Sequence, residues 1–307
     1  MKNKKIIIGS RGSKLALIYA EIVKKKILSS KNKLQKRDVK IKIIKTKGDQ
    51  IQNRRLSEIG GKGLFSKKIE MDLLKKKIDI AVHALKDMPT RETKGLTTVC
   101  YLKRNDKREV LISRGNQTFE KLKKGSIVGT SSFRREFQLK QKRGDLRYKL
   151  IRGNVDTRIK KLDQKLYDAI ILSYAGIKFL NFKKKISQIF STSEIIPSAG
   201  QGIIAVQCRI RDNKVIKILK KINHKNTFYS GQAERSVLKV LDGDCETAVG
   251  VSAIIQKKKI SIEAELFSLD GKKRFYEKAK SNLNSANDLG IKIGKILKKK
   301  SKNLYKK

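Results

Sequence analysis

The sequence predicts two α/β modules followed by a small α+β domain, and three observations support this fold class. Short apolar runs alternate with helical patterns over roughly the first two hundred residues, and such alternation usually builds sheets covered by helices. The pattern changes near Asn223, after which one long helical segment precedes three successive strand-like runs. A chain of 307 residues is also long enough for two or three domains.

The first module is predicted as β-α-β-α-β around a mostly parallel sheet. Its predicted strands are 5–9, 39–46 and 78–83, and its predicted helices are 15–27 and 64–76. Ser13 is predicted to cap the first helix, because a serine hydroxyl at that position accepts a backbone N–H. The polar, glycine-containing stretch 47–63 suits either a mobile lid or an ordinary surface loop.

The second module repeats this alternation from residue 107 onward. Its predicted strands are 109–113, 126–129, 148–152 and 168–172, and its predicted helices are 132–142, 155–166 and 174–180. A later apolar strand, 203–207, is predicted to return to the first sheet, which would make the first domain discontinuous. The predicted domains are therefore 1–102 with 203–222, then 106–198, then 223–307.

The C-terminal part reads as a separate α+β domain. Its predicted helices are 228–240 and 285–298, and its predicted strands are 249–255, 260–267 and 274–280. Gly271 follows Asp270 between two of these strands, and this pair of residues is typical of a hairpin. Strands joined by short turns pair in antiparallel fashion, so a three-stranded antiparallel sheet is expected.

The chain carries far more basic than acidic residues. Lysine and arginine number 76 against 28 aspartates and glutamates, which gives a net charge of +48. Only 18 of the 76 are arginine, and the 58 lysines are spread along the whole chain. A nucleic-acid-binding protein more often concentrates its charge on one face or arm, so most lysines are interpreted as solvated surface. The field would still attract an anionic ligand.

The cysteines and the apolar runs indicate a cytoplasmic protein. Cys100, Cys208 and Cys245 cannot form a closed set of disulfides. No apolar stretch approaches the ~20 residues of a membrane span. The apolar run after the basic N-terminus is three residues long, too short for a signal peptide. His83 and His224 give no metal-ligand spacing, so no metal is expected.

Four turns between a predicted strand and a predicted helix carry small polar residues and, in three of them, arginine. These turns are 9–13, 129–135, 152–158 and 173–176. A helix N-terminus offers unpaired N–H groups and partial positive charge, and an arginine fork grips a carboxylate or phosphate with two bonds. Several such turns in one chain predict a pocket for a ligand with many negative groups.

Lys86 and Asp87 follow a buried strand, at the position where strands of an α/β sheet deliver ligand-binding groups. Neighbouring side chains in an extended segment point in opposite directions, so each can serve a different part of a ligand. A lone carboxylate in a basic pocket can stabilise a cation and also move a proton. The alternative, an Asp87 that only caps the backbone before Pro89, stays open. His83 is interpreted as a packed histidine rather than a catalyst.

Seven short segments, taken together, carry a resemblance to a known family. They are RGSKLA at 11–16, GGKGLF at 60–65, DIAVHALKD at 79–87, GTSSFRR at 129–135, RGNV at 152–155, GQG at 200–202, and the loop at Cys245. Any one of them is modest support, but seven in register over nearly the whole chain are very specific. In this order they resemble the porphobilinogen deaminase family, also called the hydroxymethylbilane synthases.

The resemblance implies two α/β domains like the lobes of periplasmic binding proteins, followed by the small α+β domain. It implies an enzyme that joins four porphobilinogen molecules head to tail with loss of ammonia, then releases hydroxymethylbilane with water, in haem and tetrapyrrole biosynthesis. The implied cofactor is a dipyrromethane made from substrate and held by a thioether to Cys245. The implied protein is a cytoplasmic monomer that binds porphobilinogen, no membrane and no specific nucleic acid.

The resemblance also assigns roles to single residues. Asp87 would face the pyrrole nitrogens, stabilise the positive charge left when ammonia departs, and assist proton transfer. Lys62 would belong to a mobile lid. Each pyrrole brings one acetate and one propionate, so the growing chain presents many carboxylates. The residues assigned to cofactor and substrate binding are Arg11, Ser13, Lys86, Thr130, Ser131, Ser132, Arg134, Arg135, Arg152, Arg158 and Gln201.

Several positions depart from the family pattern. Phe179 stands where an arginine normally binds substrate carboxylate, and Asp244 replaces a glycine beside Cys245. An extra carboxylate beside the thiol raises its pKa and so handicaps tethering. The remaining departures are Ala84 for serine, Tyr19 for glutamine and Ala248 for proline. Because Asp87 and Cys245 are present, we expect an active enzyme that is slower or binds more weakly than a typical member.

Two other functions stay open from the residues alone. A nucleic-acid-binding protein would explain the net charge of +48, and it would show steeply salt-dependent affinity and no covalent pyrrole. A solute-binding protein would explain two α/β lobes, but it should carry an export signal and would not need Cys245.

Overall fold

The structure is a computed structural model that describes residues 5–30, 34–46, 48, 63–243 and 247–306. The chain divides into two compact units. The first contains the N-terminal part of the chain together with Gly63–Arg104 and Ile203–Phe228, and the second contains Asn105–Gly202 and Tyr229–Lys307. The three domain ranges predicted above stay a prediction.

The described residues form strands and helices in regular alternation. The strands are β1 (Ile6–Ser10), β2 (Val39–Ile43), β3 (Ile80–Ala84), β4 (Leu96–Tyr101), β5 (Glu109–Ser113), β6 (Ile127–Gly129), β7 (Arg147–Lys149), β8 (Ala169–Ser173), β9 (Gln188–Ile189), β10 (Ile204–Arg209), β11 (Val249–Gln256), β12 (Lys259–Phe267) and β13 (Arg274–Asn282). The helices are α1 (Lys14–Ser29), α2 (Lys67–Leu74), α3 (Phe133–Lys140), α4 (Val155–Asp163), α5 (Tyr174–Phe179), α6 (Asn213–Ile222), α7 (Lys225–Leu241) and α8 (Ala286–Ser301).

The first unit is built on a five-stranded sheet with the order β2-β1-β3-β10-β4. β1 is parallel to β2 and β3, whereas β10 is antiparallel to both β3 and β4. The sheet is therefore mixed, not mostly parallel as the alternation predicted, because β10 returns from later in the chain and enters between β3 and β4. Its central strand β3 begins with an apolar run in which Ile80, Ala81 and Val82 are buried, as a strand covered on both faces requires.

Helix α1 packs one apolar face against the first sheet. The Ser13 hydroxyl accepts the Ala16 N–H at 3.4 Å, so the predicted N-cap is confirmed. The buried face comprises Tyr19, Ala20, Val23 and Ile27, which recur at helical spacing. The cap and this face together fix where the chain leaves β1.

The second unit contains a five-stranded sheet with the order β7-β6-β8-β5-β9. β6 is parallel to β7 and β8, and β5 is antiparallel to β8 and β9. This arrangement repeats that of the first sheet strand for strand. Separate apolar clusters cover the sheet, one around Leu111 and Ile171 and another around Ile112 and Ile170, as alternation along a strand dictates.

The second unit also contains a three-stranded antiparallel sheet with the order β11-β12-β13. Helices α7 and α8 contribute Val237 and Ile293 to one cluster with Val251 and Ile262 of the strands. β13 alternates between exposed and half-buried residues, so it forms a solvated edge. The three sheets confirm the predicted fold class.

Two absences hold for the described part of the chain. Within it, no helix is both long and apolar enough to cross a bilayer. The same residues contain no group of three or more histidine, cysteine, aspartate or glutamate side chains that could hold a metal ion.

Candidate active site

In the first unit, two parallel neighbours deliver predicted site residues to the same edge of the sheet. β1 ends at Ser10, and Arg11 follows in the short turn before α1. The Ser10 hydroxyl donates to the Ala16 carbonyl at 3.0 Å, which fastens this turn to the helix. β3 ends at Ala84 and leads into the 3₁₀ turn Leu85–Asp87. Carboxyl ends of parallel strands are where ligands of such sheets bind.

The turn after β3 is held by its apolar residues. Leu85 is 1% exposed, and its N–H donates to the Ile203 carbonyl at 3.0 Å. The Met88 N–H closes the turn on the Leu85 carbonyl at 3.2 Å. With both apolar side chains buried, Lys86 is left half-buried and Asp87 exposed. Asp87 is thus presented by a rigid turn rather than by a loose loop.

An aromatic ring stacks on Arg11. The guanidinium carbon of Arg11 lies 3.9 Å from the centroid of the Phe65 ring, a cation–π contact. A planar guanidinium stacked on a ring still presents N–H donors along its edge. The stacking therefore orients Arg11 without occupying the donors that would grip a carboxylate.

Two buried titratable side chains lie beside these residues. Burial, and then the nearby charge of Arg11, lower the pKa of His83 to about 4, so its ring is neutral at pH 7. Its Nε2 is buried and accepts or donates no hydrogen bond among the described residues. Burial, and then the negative charge of Asp87, raise the pKa of Tyr19. Arg11, Tyr19, His83 and Asp87 thus share one electrostatic environment.

In the second unit, the turn between β6 and α3 is built by its own hydroxyls. The Thr130 hydroxyl accepts the Ser132 N–H at 3.2 Å, and the Ser132 hydroxyl accepts the Arg135 N–H at 3.5 Å as the N-cap of α3. Thr130 is 1% exposed, whereas Ser131 is half-buried. The predicted hydroxyls therefore meet at one helix N-terminus, where two of them shape the backbone.

Arg134 and Arg135 are both buried and share the carboxylate of Glu109 on β5. Arg134 Nη2 donates to Glu109 Oε1 at 2.6 Å, and Arg135 Nη2 donates to Oε2 at 2.8 Å. Arg134 Nη1 donates to the Ile196 carbonyl at 2.8 Å, and Arg135 Nη1 to the Ile171 carbonyl at 3.1 Å. Direct ligand binding by this pair stays a prediction, and Glu109, which the sequence analysis did not single out, is their common partner.

The arginines of the next turn and Gln201 have local partners. Arg158 Nε donates to the Gly153 carbonyl at 2.8 Å, and the Lys161 ammonium donates to the Arg152 carbonyl at 3.1 Å. Arg152 and Arg158 are half-buried, so both keep surface toward solvent. Gln201 is 1% exposed, and its amide donates to the Lys107 carbonyl at 2.8 Å.

The predicted residues fall into three groups. Arg11, Ser13, Lys86 and Asp87 come together at one sheet edge of the first unit, and those between Thr130 and Gln201 belong to the second unit. Lys62 and Cys245 lie outside the described residues. Glu109 and Phe65 were missed; a polar residue at the start of an apolar strand was the available signal for Glu109.

Two family models match the chain in sequence. The porphobilinogen deaminase dipyrromethane cofactor-binding domain matches residues 6–217, and the porphobilinogen deaminase C-terminal domain matches residues 228–299. Together these matches cover all three sheets.

Curated relatives match along the full chain. The porphobilinogen deaminase of Buchnera aphidicola subsp. Acyrthosiphon pisum is 42% identical over 305 residues, covering 99% of this chain and 96% of its own. That of Rickettsia typhi is 42% identical over 95% of this chain and 97% of its own. That of Syntrophomonas wolfei is 41% identical over 94% of both chains.

Solved structures give a weaker likeness. A Salmonella typhimurium periplasmic binding protein with high arginine specificity covers 73% of this chain and 94% of its own, at 13% identity and a TM-score of 0.41. That TM-score is too low to support an argument. The family follows from the sequence matches, which extend over two family domains and over nearly the whole length of the relatives: this chain belongs to the porphobilinogen deaminase family.

Proposed function

We propose that this chain condenses four porphobilinogen molecules head to tail into hydroxymethylbilane, releasing ammonia at each step, in tetrapyrrole biosynthesis. Porphobilinogen deaminase activity is the activity of the family. The observation that carries the proposal is the full-length match, in which the cofactor-binding domain and the C-terminal domain of the family both occur in order. The net charge of +48 then serves capture of an anionic substrate.

The donor set suits the dipyrromethane that the family domain binds. This group carries acetate and propionate carboxylates, and the described residues offer arginines, hydroxyls and a capped helix N-terminus. Arg135 Nε is buried and has no hydrogen-bond partner among the described residues, and we assign this donor to a cofactor carboxylate. When bound through Cys245, the dipyrromethane supplies the pyrrole ring to which the first substrate is joined.

Asp87 is the residue we assign to the chemistry. Its carboxylate is exposed at the end of β3, and its charge is felt by the buried Tyr19 phenol. A fixed carboxylate there stabilises positive charge on a pyrrole nitrogen and accepts the proton that the coupling step releases. Lys86, on the same turn, binds a cofactor carboxylate as a point charge.

The other arginines hold carboxylates of the growing chain. Arg11 is oriented by Phe65, and Arg135, in the first turn of α3, has one N–H that no described residue accepts. Arg152 and Arg158 flank the N-terminus of α4. Holding several carboxylates places each incoming ring against the last one, and positioning of this kind lowers the barrier of a bimolecular coupling. The proposal includes a cytoplasmic location and a monomeric state. Sedimentation of purified protein would test the monomeric state, and cell fractionation would test the location.

The decisive experiment is an intact-mass measurement. Protein purified from cells that make porphobilinogen should carry a covalent increment of two condensed pyrrole units, and Cys245→Ser should lack it. Cys208→Ser is the matched control and should keep it, because burial raises the pKa of the Cys208 thiol to about 12 and leaves it unreactive. Wild-type protein without an increment, or Cys245→Ser with one, would contradict the proposal.

A second experiment tests the role of Asp87. Asp87→Asn keeps the shape of the side chain and removes its charge, so the variant should fold and lose nearly all turnover. Asp163→Asn, an equivalent change at an exposed position of the second unit, should keep turnover. Near-normal turnover in Asp87→Asn would show that another group manages the charge.

A further inference from the structure

The two neighbouring arginines of α3 have different partners. Both bind Glu109, which has no exposed side-chain surface. Beyond that carboxylate, Arg135 reaches the Ile171 carbonyl in β8, within its own sheet, whereas Arg134 reaches the Ile196 carbonyl in the segment after that sheet. Arg134 therefore connects α3 to a different part of the unit from Arg135.

Side chains of α3 form hydrogen bonds with both backbone polar groups of Ile196, an arrangement that we call the clamp. Its carbonyl accepts from Arg134 Nη1 at 2.8 Å and from Gln138 Nε2 at 3.0 Å. Its N–H donates to Gln138 Oε1 at 2.6 Å. Gln138 is 5% exposed, and both the nitrogen and the oxygen of its side-chain amide bond the backbone of Ile196. Three hydrogen bonds from one helix to one residue fix that residue firmly, because each is shielded from water.

The clamped segment continues directly into contact with the third sheet. The Pro197 carbonyl accepts the Val251 N–H of β11 at 2.8 Å. Gly250 lies so close to Ile196 that a Cβ on it would stand 2.8 Å from the Ile196 carbonyl oxygen. A short path of hydrogen bonds and packing thus runs from α3 through Ile196 and Pro197 to β11.

The surroundings of this path are apolar on one side and charged on the other. Phe137 of α3 packs with Ala248 and Phe267 beside β11 and β12. Glu265 of β12 is 1% exposed and accepts from Arg274 Nε at 2.9 Å. Burial raises the pKa of Glu265, while Arg274 and then Arg134 lower it. Charges therefore alternate in sign from Arg274 through Glu265 and Arg134 to Glu109, which offsets the cost of burying each one.

We infer that Arg134 and Gln138 are positioning residues: by clamping the Ile196 peptide they hold the start of β11 against α3. β11 begins at Val249, four residues after Cys245 in the sequence. The clamp thereby fixes one end of the cofactor-attachment loop relative to the anion-binding N-terminus of α3. This consequence rests on the proposed function, whereas the clamp itself does not.

Amide hydrogen exchange on the full-length protein without substrate tests the clamp. The variants are Arg134→Met, which leaves Glu109 paired with Arg135, and Gln138→Leu, which carries no charge change. Each should speed exchange of the β11 amides near Val251 by about tenfold or more, because local opening becomes easier. Exchange in β3, in the other unit, should be unchanged. Glu120→Gln, an exposed change in the second unit, should match wild type throughout.

Cofactor attachment then separates positioning from direct binding. Protein is purified from cells that make no porphobilinogen. Porphobilinogen is then added, and the covalent mass increment is measured as a function of time. Both Arg134→Met and Gln138→Leu should acquire the increment at least about fivefold more slowly than Glu120→Gln. Both ends of the Gln138 amide already bond Ile196, so Gln138 affects attachment through position.

Two results would overturn the inference. One is β11 exchange at the wild-type rate in both variants. The other is Gln138→Leu loading at the wild-type rate while Arg134→Met does not, which would show that Arg134 binds the carboxylates itself. If wild-type protein gains no increment, the proposed function fails, but the exchange experiment still decides the clamp. If Arg134→Met does not fold, Gln138→Leu alone decides it.

Discussion

Among the residues that depart from the family pattern, Phe179 is the one with the largest expected effect on substrate binding. It ends α5 and is half-buried, and the neighbouring Lys178 is exposed. Burial raises the pKa of Asp106, but the hydrogen bonds and charge of Arg108, and then the charge of Lys178, together hold it below its ordinary value. Lys178 therefore lies near enough to Asp106 for the two charges to interact.

Phe179→Arg should restore a carboxylate-binding group at the end of α5. A charge-assisted, two-pronged hydrogen bond should lower KM for porphobilinogen by roughly three- to tenfold with little change in kcat. Steady-state kinetics at fixed ionic strength measure this. Phe179→Leu is the control and should leave KM near the wild-type value. An unchanged KM in Phe179→Arg would mean that position 179 does not face the substrate in this chain.

His83 ties stability to pH. The unfolded chain has an ordinary histidine pKa of ~6.5, whereas the pKa in the folded protein is about 4 because of burial and Arg11. Between these values the unfolded state binds the proton more readily, so stability falls as pH drops from about 6.5 towards 4. Above about pH 6.5 the ring is neutral in both states, and His83 no longer lowers the free energy of unfolding.

Urea unfolding of wild type and His83→Gln at pH 7 and pH 5 tests this expectation. Wild type should lose about 2 kcal/mol more than His83→Gln over that interval. Parallel pH profiles for wild type and His83→Gln would show that the ring gains its proton freely in the fold.

The sequence predicted which types of residue form the site, but it did not predict which residues they contact. Arginines that open a helix after a strand predicted anion binding at 134 and 135, and the structure adds that Glu109 already binds both. Glu109 lies some twenty-five residues earlier on another strand, and no local pattern links the two. The contact between Arg11 and Phe65 is invisible for the same reason.

At the scale of elements, local patterns located most helices and strands. β5 was predicted with its observed bounds, and α1 with its cap. β4 and α6 were not predicted, although Asp212 caps α6 and two buried apolar residues, Val215 and Leu219, lie four positions apart along it. The placement of β10 between β3 and β4 depends on pairing across more than a hundred residues, which periodicity does not encode.

Gly250 shows how one element depends on another. Gly250→Ala should destabilise the protein by about 1–3 kcal/mol, because its methyl group would meet the Ile196 backbone and force β11 outward. Gly144→Ala is the control, since its Cβ would meet only an ordinary contact with the Lys140 carbonyl. Chemical unfolding of both variants measures the difference. Equal stability of the two variants would show that β11 yields without cost.

At the scale of the whole molecule, the net charge of +48 dominates. A substrate with two carboxylates should be attracted by this field, and salt should weaken the attraction because the Debye length shrinks to ~10 Å at 0.1 M. Raising NaCl from about 0.05 to 0.5 M should increase KM for porphobilinogen several-fold and change kcat little. Steady-state kinetics with a salt series measure this. A salt-independent KM would assign the lysines no part in capture.

The return of β10 to the first sheet also governs the order in which the molecule can form. A ribosome must add Arg209 before the fifth strand of that sheet exists, and by then the strands β5 to β9 have already been synthesised. Of the two five-stranded sheets, the one that contains β1 is therefore completed later, although its first strand is synthesised first. During translation, the edge of β3 that pairs with β10 therefore stays unpaired while the segment between β4 and β10 is synthesised.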